Sequence, residues 1–186
     1  MILYGNKEKL TGIELKDQMM LNDLMNDPSA EEGIESAFWP ISQYQQEKWF
    51  MENYKNTDCR RLAIRDRVND NIVGLVSVYK CDYKNRKCGN GIKLGGRGQG
   101  YASDALNAIL KFIFLELNFN RVETVILDKN IPSQKLYESK GFVREGVMRK
   151  SAYKNGEYRN QYMYGLLKED FIKRFFLVFV SFKFIV

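Results

Sequence analysis

Between Leu94 and Tyr101 the chain reads Gly95-Gly96-Arg97-Gly98-Gln99-Gly100, a glycine-dense connector joining an apolar, strand-like segment to a long apolar helix. The first main-chain N–H groups of a helix have no intrahelical acceptor and carry partial positive charge, and glycines in front of them let an anion come close. Arg97 adds a fixed cation. The chemistry implied is a grip on a phosphorylated ligand; for a glycine loop taken alone, a flexible connection is the competing reading. The loop is neither G-x-x-x-x-G-K-[ST] nor G-x-G-x-x-G, which disfavours nucleotide hydrolysis and dinucleotide binding.

The chain contains no histidine. That excludes a Ser-His-Asp triad, a Cys-His dyad and any His-ligated metal site. Cys59, Cys81 and Cys88 are odd in number and spaced for neither zinc nor a C-x-x-C redox pair, so a reducing cytosol is the expected home and no metal is expected.

The elements that must position this loop follow from periodicity and turn chemistry. Lys9 to Leu15 is expected to be an opening strand, and Lys16 to Met25 a helix stopped by Asn26-Asp27-Pro28. Ser42 with Gln45 predicts a capping box for a second helix reaching Tyr54. Arg61 to Arg67 and Ile72 to Lys80 form a hairpin across Asn69-Asp70-Asn71, and Lys87 to Leu94 is the next strand. A helix from Tyr101 to Leu117, a buried strand from Val122 to Leu127 and a short helix from Ser133 to Lys140 follow, the last capped by Gly141. Two closing strands, Phe142 to Tyr153 and Tyr158 to Leu167, meet at Asn155-Gly156, a hairpin signal. The reading is one α/β (α+β) domain over 1–170, with an apolar tail at 171–186. In that tail the uncharged run Phe175 to Phe182 falls far short of the roughly 20 residues a membrane span needs.

Two motifs at this separation carry a family resemblance. Arg97 to Ala102 matches the [QR]-x-x-G-x-[GA] loop of GNAT N-acetyltransferases, and Asn130-Ile-Pro-Ser133-Gln-Lys-Leu136-Tyr137-Glu-Ser-Lys-Gly141-Phe142 resembles that family's N-x-x-[SA]-x-x-[LI]-Y-x-x-x-G-F segment. The likeness runs from Leu10 to about Asp170. In Leu24 to Pro28, Gln46 to Phe50 and Asn155 to Asn160 it is similar to the branch holding ribosomal-protein-alanine and spermidine (diamine) acetyltransferases. The fold implied is a mixed sheet of about six to seven strands flanked by about four helices, with strands splayed at the acetyl-CoA site.

The resemblance also implies roles. Acetyl-CoA would be held by Ile92, Leu94, Arg97, Gly98, Gln99, Gly100, Tyr101, Ala102, Ser103, Asn130, Ser133 and Tyr137, with no metal. Acetyl transfer to an amine needs a neutral nitrogen, a donor for the developing oxyanion and a proton for the departing thiolate. Tyr137 is the expected acid, and the main-chain N–H of Leu94 the expected oxyanion donor, an ordinary core position being the other reading for Leu94. With no histidine, the base is a carboxylate, a tyrosine or relayed water. Glu31, Glu32 and Glu35 are candidates, Glu32 first, against the reading of a solvated acidic loop, and Trp39 is a candidate for the acceptor pocket or for the core.

The acceptor is expected to be a small-molecule amine, such as a polyamine or amino sugar, or a protein N-terminal amine. A formal charge of +6 would attract any anion, but the basic residues are interspersed with acidic ones, so no nucleic-acid partner is expected. A basic nucleic-acid module and a CoA sensor without turnover are the remaining readings. The N-terminus lacks a secretory pattern and a cytoplasmic enzyme is expected, as a possible homodimer.

Overall fold

The computed structural model describes residues 1–28, 39–53, 59–95 and 99–174. Its strands are β1 (Leu3–Tyr4), β2 (Glu8–Thr11), β3 (Cys59–Asp66), β4 (Ile72–Asp82), β5 (Lys87–Leu94), β6 (Arg121–Leu127), β7 (Val143–Lys154) and β8 (Glu157–Leu167). They form one sheet in the order β1-β2-β3-β4-β5-β6-β8-β7. Eight strands stand where six to seven were expected. The addition is β1, two residues too short to carry a period-2 pattern, paired with β2 through Leu3↔Leu10 and Tyr4↔Lys9.

The helices are α1 (Gln18–Asn26), α2 (Gln43–Asn53), α3 (Tyr101–Lys111) and α4 (Ile131–Ser139), and residues 168–174 are helical again. The capping box before α2 is present: Ser42 N–H donates to Gln45 Oε1 at 2.8 Å and Gln45 N–H to Ser42 Oγ at 3.2 Å. The expected single helix from Tyr101 to Leu117 instead loosens into a π-helical turn over Phe112–Glu116, where Leu117 N–H reaches Phe112 O. The last hairpin turns on Asn155 (φ 52°) and Gly156 (φ 81°), the paired left-handed conformation that Asn-Gly favours.

The two faces of the sheet carry separate apolar clusters, as the period of 2 requires. On one face Leu10, Ile64, Val76 and Val122 pack with Leu106, Ile109 and Ile113 of α3 and its π turn, with Tyr137 of α4, and with Phe171, which meets Phe114 at 5.1 Å between ring centroids. On the other, Leu21 and Leu24 of α1 cover Ala63 and Leu75. The start of α1 is fixed to the sheet by a buried ion pair. Arg65 reaches Asp17 at 2.5 Å, its Nε donates to Thr11 Oγ1 at 2.8 Å, and Glu14 N–H donates to Asp17 Oδ2 at 2.7 Å, so the charges are hydrogen-bonded as burial demands.

Candidate active site

β5 and β6 run parallel, but pair only through Lys87↔Arg121, Cys88↔Val122 and Gly89↔Glu123. Beyond those positions both strands continue, β5 to Leu94 and β6 to Leu127, without a ladder between them. The sheet therefore opens into a wedge. On its other edge β5 stays paired with β4 up to Gly74↔Leu94, and Gly95 N–H donates to Val73 O at 3.1 Å. By the alternation of strand hydrogen bonds, Gly95, Lys93 and Gly91 turn their main-chain groups toward β4, whereas Leu94, Ile92 and Asn90 turn theirs into the wedge. The splay expected at Ile92 to Leu94 is thus present, with donors and acceptors aimed into it.

The closed end of the wedge is polar and buried. Tyr137, on α4, donates its hydroxyl to Asn90 Oδ1 at 2.9 Å, and Asn90 Nδ2 donates to Ser77 O at 3.0 Å. Tyr79 arrives from the opposite face, its ring lying over Gly89, and directs its hydroxyl toward Asn90 O at 3.4 Å. Burial, with the Tyr79 phenol beside it, pushes the Tyr137 hydroxyl well above the ordinary tyrosine range, against a hydrogen bond with Thr124, so Tyr137 keeps its proton at any physiological pH. Tyr137 is itself placed by an edge-on contact with Phe142 at 4.9 Å.

At the mouth of the wedge, α3 begins. Gly100 is its N-cap at φ 85°, in the left-handed region, and has no side chain with which to cap. Asp104 N–H closes the first turn on Gly100 O, while the N–H groups of Tyr101, Ala102 and Ser103 find no acceptor among the described residues. That is the donor set a phosphate fits. Gln99 O accepts from Lys7 Nζ at 3.2 Å, Ser103 Oγ accepts from Lys140 Nζ at 2.7 Å, and Tyr101 donates its hydroxyl to Asp66. Arg97 and Gly98 lie outside the described residues, as do Glu31, Glu32 and Glu35.

The remaining expected site residues have definite places. Asn130 caps α4, its side chain accepting from Ser133 N–H at 3.2 Å, so these two serve each other. Trp39 is 90% exposed, standing in solvent rather than in the core. A cavity of about 500 Å³ lies between α1 and the start of α3, lined by Met20, Asp23, Leu24, Asp27, Gly95 and Tyr101 among others. Asn90, Tyr79 and Asp23 were not singled out from sequence. The one signal for Asn90 was its setting, Gly89-Asn90-Gly91 inside a strand, where neither residue type is favoured without a local reason.

An α-helix beginning at a wedge in a mixed sheet, with a buried phenol at its closed end, agrees with what comparison with known proteins finds. The Acetyltransferase (GNAT) domain profile matches residues 9–143, and the chain belongs to that family of N-acetyltransferases. It is 30% identical over 174 residues to the SPbeta prophage-derived uncharacterized N-acetyltransferase YokL of Bacillus subtilis, covering 91% of this chain and 96% of that one. To the uncharacterized N-acetyltransferase p20 of Bacillus licheniformis it is 28% identical, covering 91% and 97%. In fold it is similar to a spermidine N-acetyltransferase from Vibrio cholerae crystallised with CoA and spermine, with a TM-score of 0.83 at 23% identity, covering 89% and 98%. Among the described residues no helix is long and apolar enough to cross a membrane.

Proposed function

We propose that this acetyltransferase moves the acetyl group of acetyl-CoA onto a primary amine of a small, positively charged molecule of the polyamine type. The observation that carries the reading is the wedge between β5 and β6, with main-chain donors along one wall, helix N–H groups that find no acceptor among the described residues at its mouth and Tyr137 at its closed end. Acetyl-CoA supplies the activated acetyl group. Its diphosphate suits the N–H groups of Tyr101, Ala102 and Ser103, which Arg97, Gly98, Gln99 and Gly100 precede in the sequence as the assigned loop, and its pantetheine arm suits the outward-turned main chain of Ile92 and Leu94.

In that arrangement Leu94 N–H donates to the carbonyl oxygen as it gains charge, and Tyr137 gives its proton to the departing thiolate, exchanging the bond to Asn90 Oδ1 for one to sulfur. Asn90 holds the phenol in line until then. The amine loses its proton to water or to a carboxylate, Glu32 being the residue assigned in the acidic Glu31, Glu32 and Glu35 segment.

The acceptor class rests on the cavity beside α1. Asp23 and Asp27 stand one turn apart at the C-terminal end of that helix, the negative end of its dipole, and the last turn holds no basic residue. Lys93 brings one positive charge, its Nζ 3.7 Å from Met25 Sδ, so two carboxylates and the negative helix end outweigh one ammonium there. Met20 and Leu24 between them suit an aliphatic stem. Thioester loss should be followed with spermidine, an amino sugar and a peptide with a free N-terminus. Spermidine is expected to turn over fastest, and Asp23→Asn with Asp27→Asn to raise its KM about tenfold, the scale of one or two lost charge contacts. Preference for the peptide would overturn the assignment of the acceptor, and absence of turnover with every amine would overturn the reaction.

A further inference from the structure

Glu8, the first residue of β2, is fully buried, yet neither of its carboxyl oxygens meets an N–H or O–H donor of the ordinary kind. The titratable group that acts on it is another carboxyl, that of Asp104 in the first turn of α3, whose Oδ2 is held by the N–H of Lys7, next to Glu8 in the chain. Asp104 is already spoken for as an acceptor: Lys7 N–H donates to Asp104 Oδ2 at 2.6 Å, and the main-chain N–H groups of Asn6 and Glu8 also reach it. Two carboxyls meet in a buried place only with a proton between them. Glu8 is therefore the donor and Asp104 the charged acceptor.

The charges that face this pair come from every element around it. On the turn between β1 and β2 there is Lys7; across β3, Glu8 pairs in register with Asp66, whose carboxyl accepts from Tyr101 of α3; after β3, Arg67 donates to Gly5 O and Asn6 O; and after α4, Lys140 lies by Ser103 and Asp104. Burial, then the Asp104 hydrogen bond and charge, push Glu8 up to about 8, with its own main-chain N–H and then Arg67 opposing. For Asp104, burial disfavours the charge, but the hydrogen bond from Glu8 and the three main-chain N–H groups outweigh it and hold the carboxyl below its ordinary range.

The turn that Asp104 gathers in carries Lys7. Its ammonium donates to Gln99 O and lies 3.5 Å from the point where a Gly100 side chain would begin, at the entrance to the free N–H groups of α3. Resting on the proposed binding of acetyl-CoA there, we infer that Glu8 and Lys7 are positioning and binding residues for the cofactor's diphosphate: the proton shared by Glu8 and Asp104 clamps the β1–β2 turn onto α3, the clamp sets the Lys7 ammonium beside the diphosphate, and loss of that proton weakens the grip on acetyl-CoA. When the proton leaves, two adjacent carboxylates repel, the turn separates from the helix, and a second negative charge stands at the pole that attracts phosphate.

The test is the dissociation constant of acetyl-CoA, whose thiol is blocked, measured by calorimetry between pH 7 and pH 9 on the whole enzyme, with kcat at saturating acetyl-CoA alongside. The wild type should bind about fivefold more weakly at pH 9 than at pH 7, within the tenfold per pH unit that one linked proton allows. Glu8→Gln, whose amide still donates to Asp104, should bind equally well across the range, and Lys7→Met should bind about fivefold more weakly at pH 7. A merely structural Glu8 would not give a pH slope that the glutamine variant abolishes. If Glu8→Gln keeps the wild-type slope, or the wild type binds with no slope, or Lys7→Met binds like the wild type, the inference fails while acetyl-CoA binding stands. If the wild type binds no acetyl-CoA at any pH, both fall.

Discussion

The closed end of the wedge and its mouth are built from opposite materials. At the closed end Asn90, Tyr137, Tyr79 and Ser77 are neutral groups hydrogen-bonded to one another in a buried place. At the mouth Lys7, Asp104, Asp66, Lys140 and Glu8 are ionisable groups around one helix terminus. A neutral buried network holds its geometry and its proton whatever the solvent pH, whereas a charged cluster responds to every proton gained or lost. The difference separates two tasks: delivering a proton from a fixed position, and holding an anionic cofactor by charge.

The largest effect expected is at the closed end. Tyr137→Phe should lower kcat at least about 100-fold, the ordinary contribution of one acid, and leave binding of acetyl-CoA nearly unchanged. Unaltered turnover would move proton delivery elsewhere and erase the contrast. Asn90→Ala would remove from a buried place the hydrogen bonds of Asn90 to the Tyr137 hydroxyl and to Ser77 O, at a cost of about 2 kcal/mol and roughly 4–8 °C in Tm by calorimetry. A Tm within 2 °C or so of the wild type would mean that water replaces Asn90 and that this end is wetter than its burial indicates.

Smaller effects sharpen the comparison. A methyl group at Gly89 would collide with the Tyr79 ring, while one at Gly91 would sit 3.6 Å from it, an ordinary contact. Gly89→Ala should therefore cost about 1–3 kcal/mol in urea denaturation and Gly91→Ala little beyond the noise. Equal costs would show that Tyr79 is free to move. At the mouth, Glu8 holds a proton when folded up to about pH 8 but loses it near 4.5 when unfolded. Its contribution to stability is thus fully present below 4.5 and is lost as pH rises toward 8, by at most about 1.4 kcal/mol per pH unit. Glu8→Gln should flatten that stretch of the stability profile, and an unchanged profile would remove the shared proton.

Much of the fold was legible because it is local. The Ser42–Gln45 box, the Asn155-Gly156 turn and Gly141, at φ 95° after α4, each depend on residues a few positions apart. The glycine loop before α3 and the tyrosine before Gly141-Phe142 were legible for the same reason. β1 was missed because two residues have no period, and the π turn because its apolar residues keep a helical spacing while the ladder slips by one. Asn130 and Ser133, assigned from sequence as cofactor contacts, also form the cap of α4, since a side chain three residues before a helix N–H is well placed to accept from it.

By itself the sequence determined the kinds of chemistry open to this protein. A chain without histidine cannot use an imidazole, and a glycine-rich helix start offers main-chain donors to phosphate. Only the tertiary structure decided which groups meet: Asn90 with Tyr137 across 47 positions, and Lys7 with Asp104 across 97. Such contacts are set by strand order, by the point where β5 and β6 part, and by the face on which each helix lands. None of these is a property of neighbouring residues, because they come from packing the whole sheet at once.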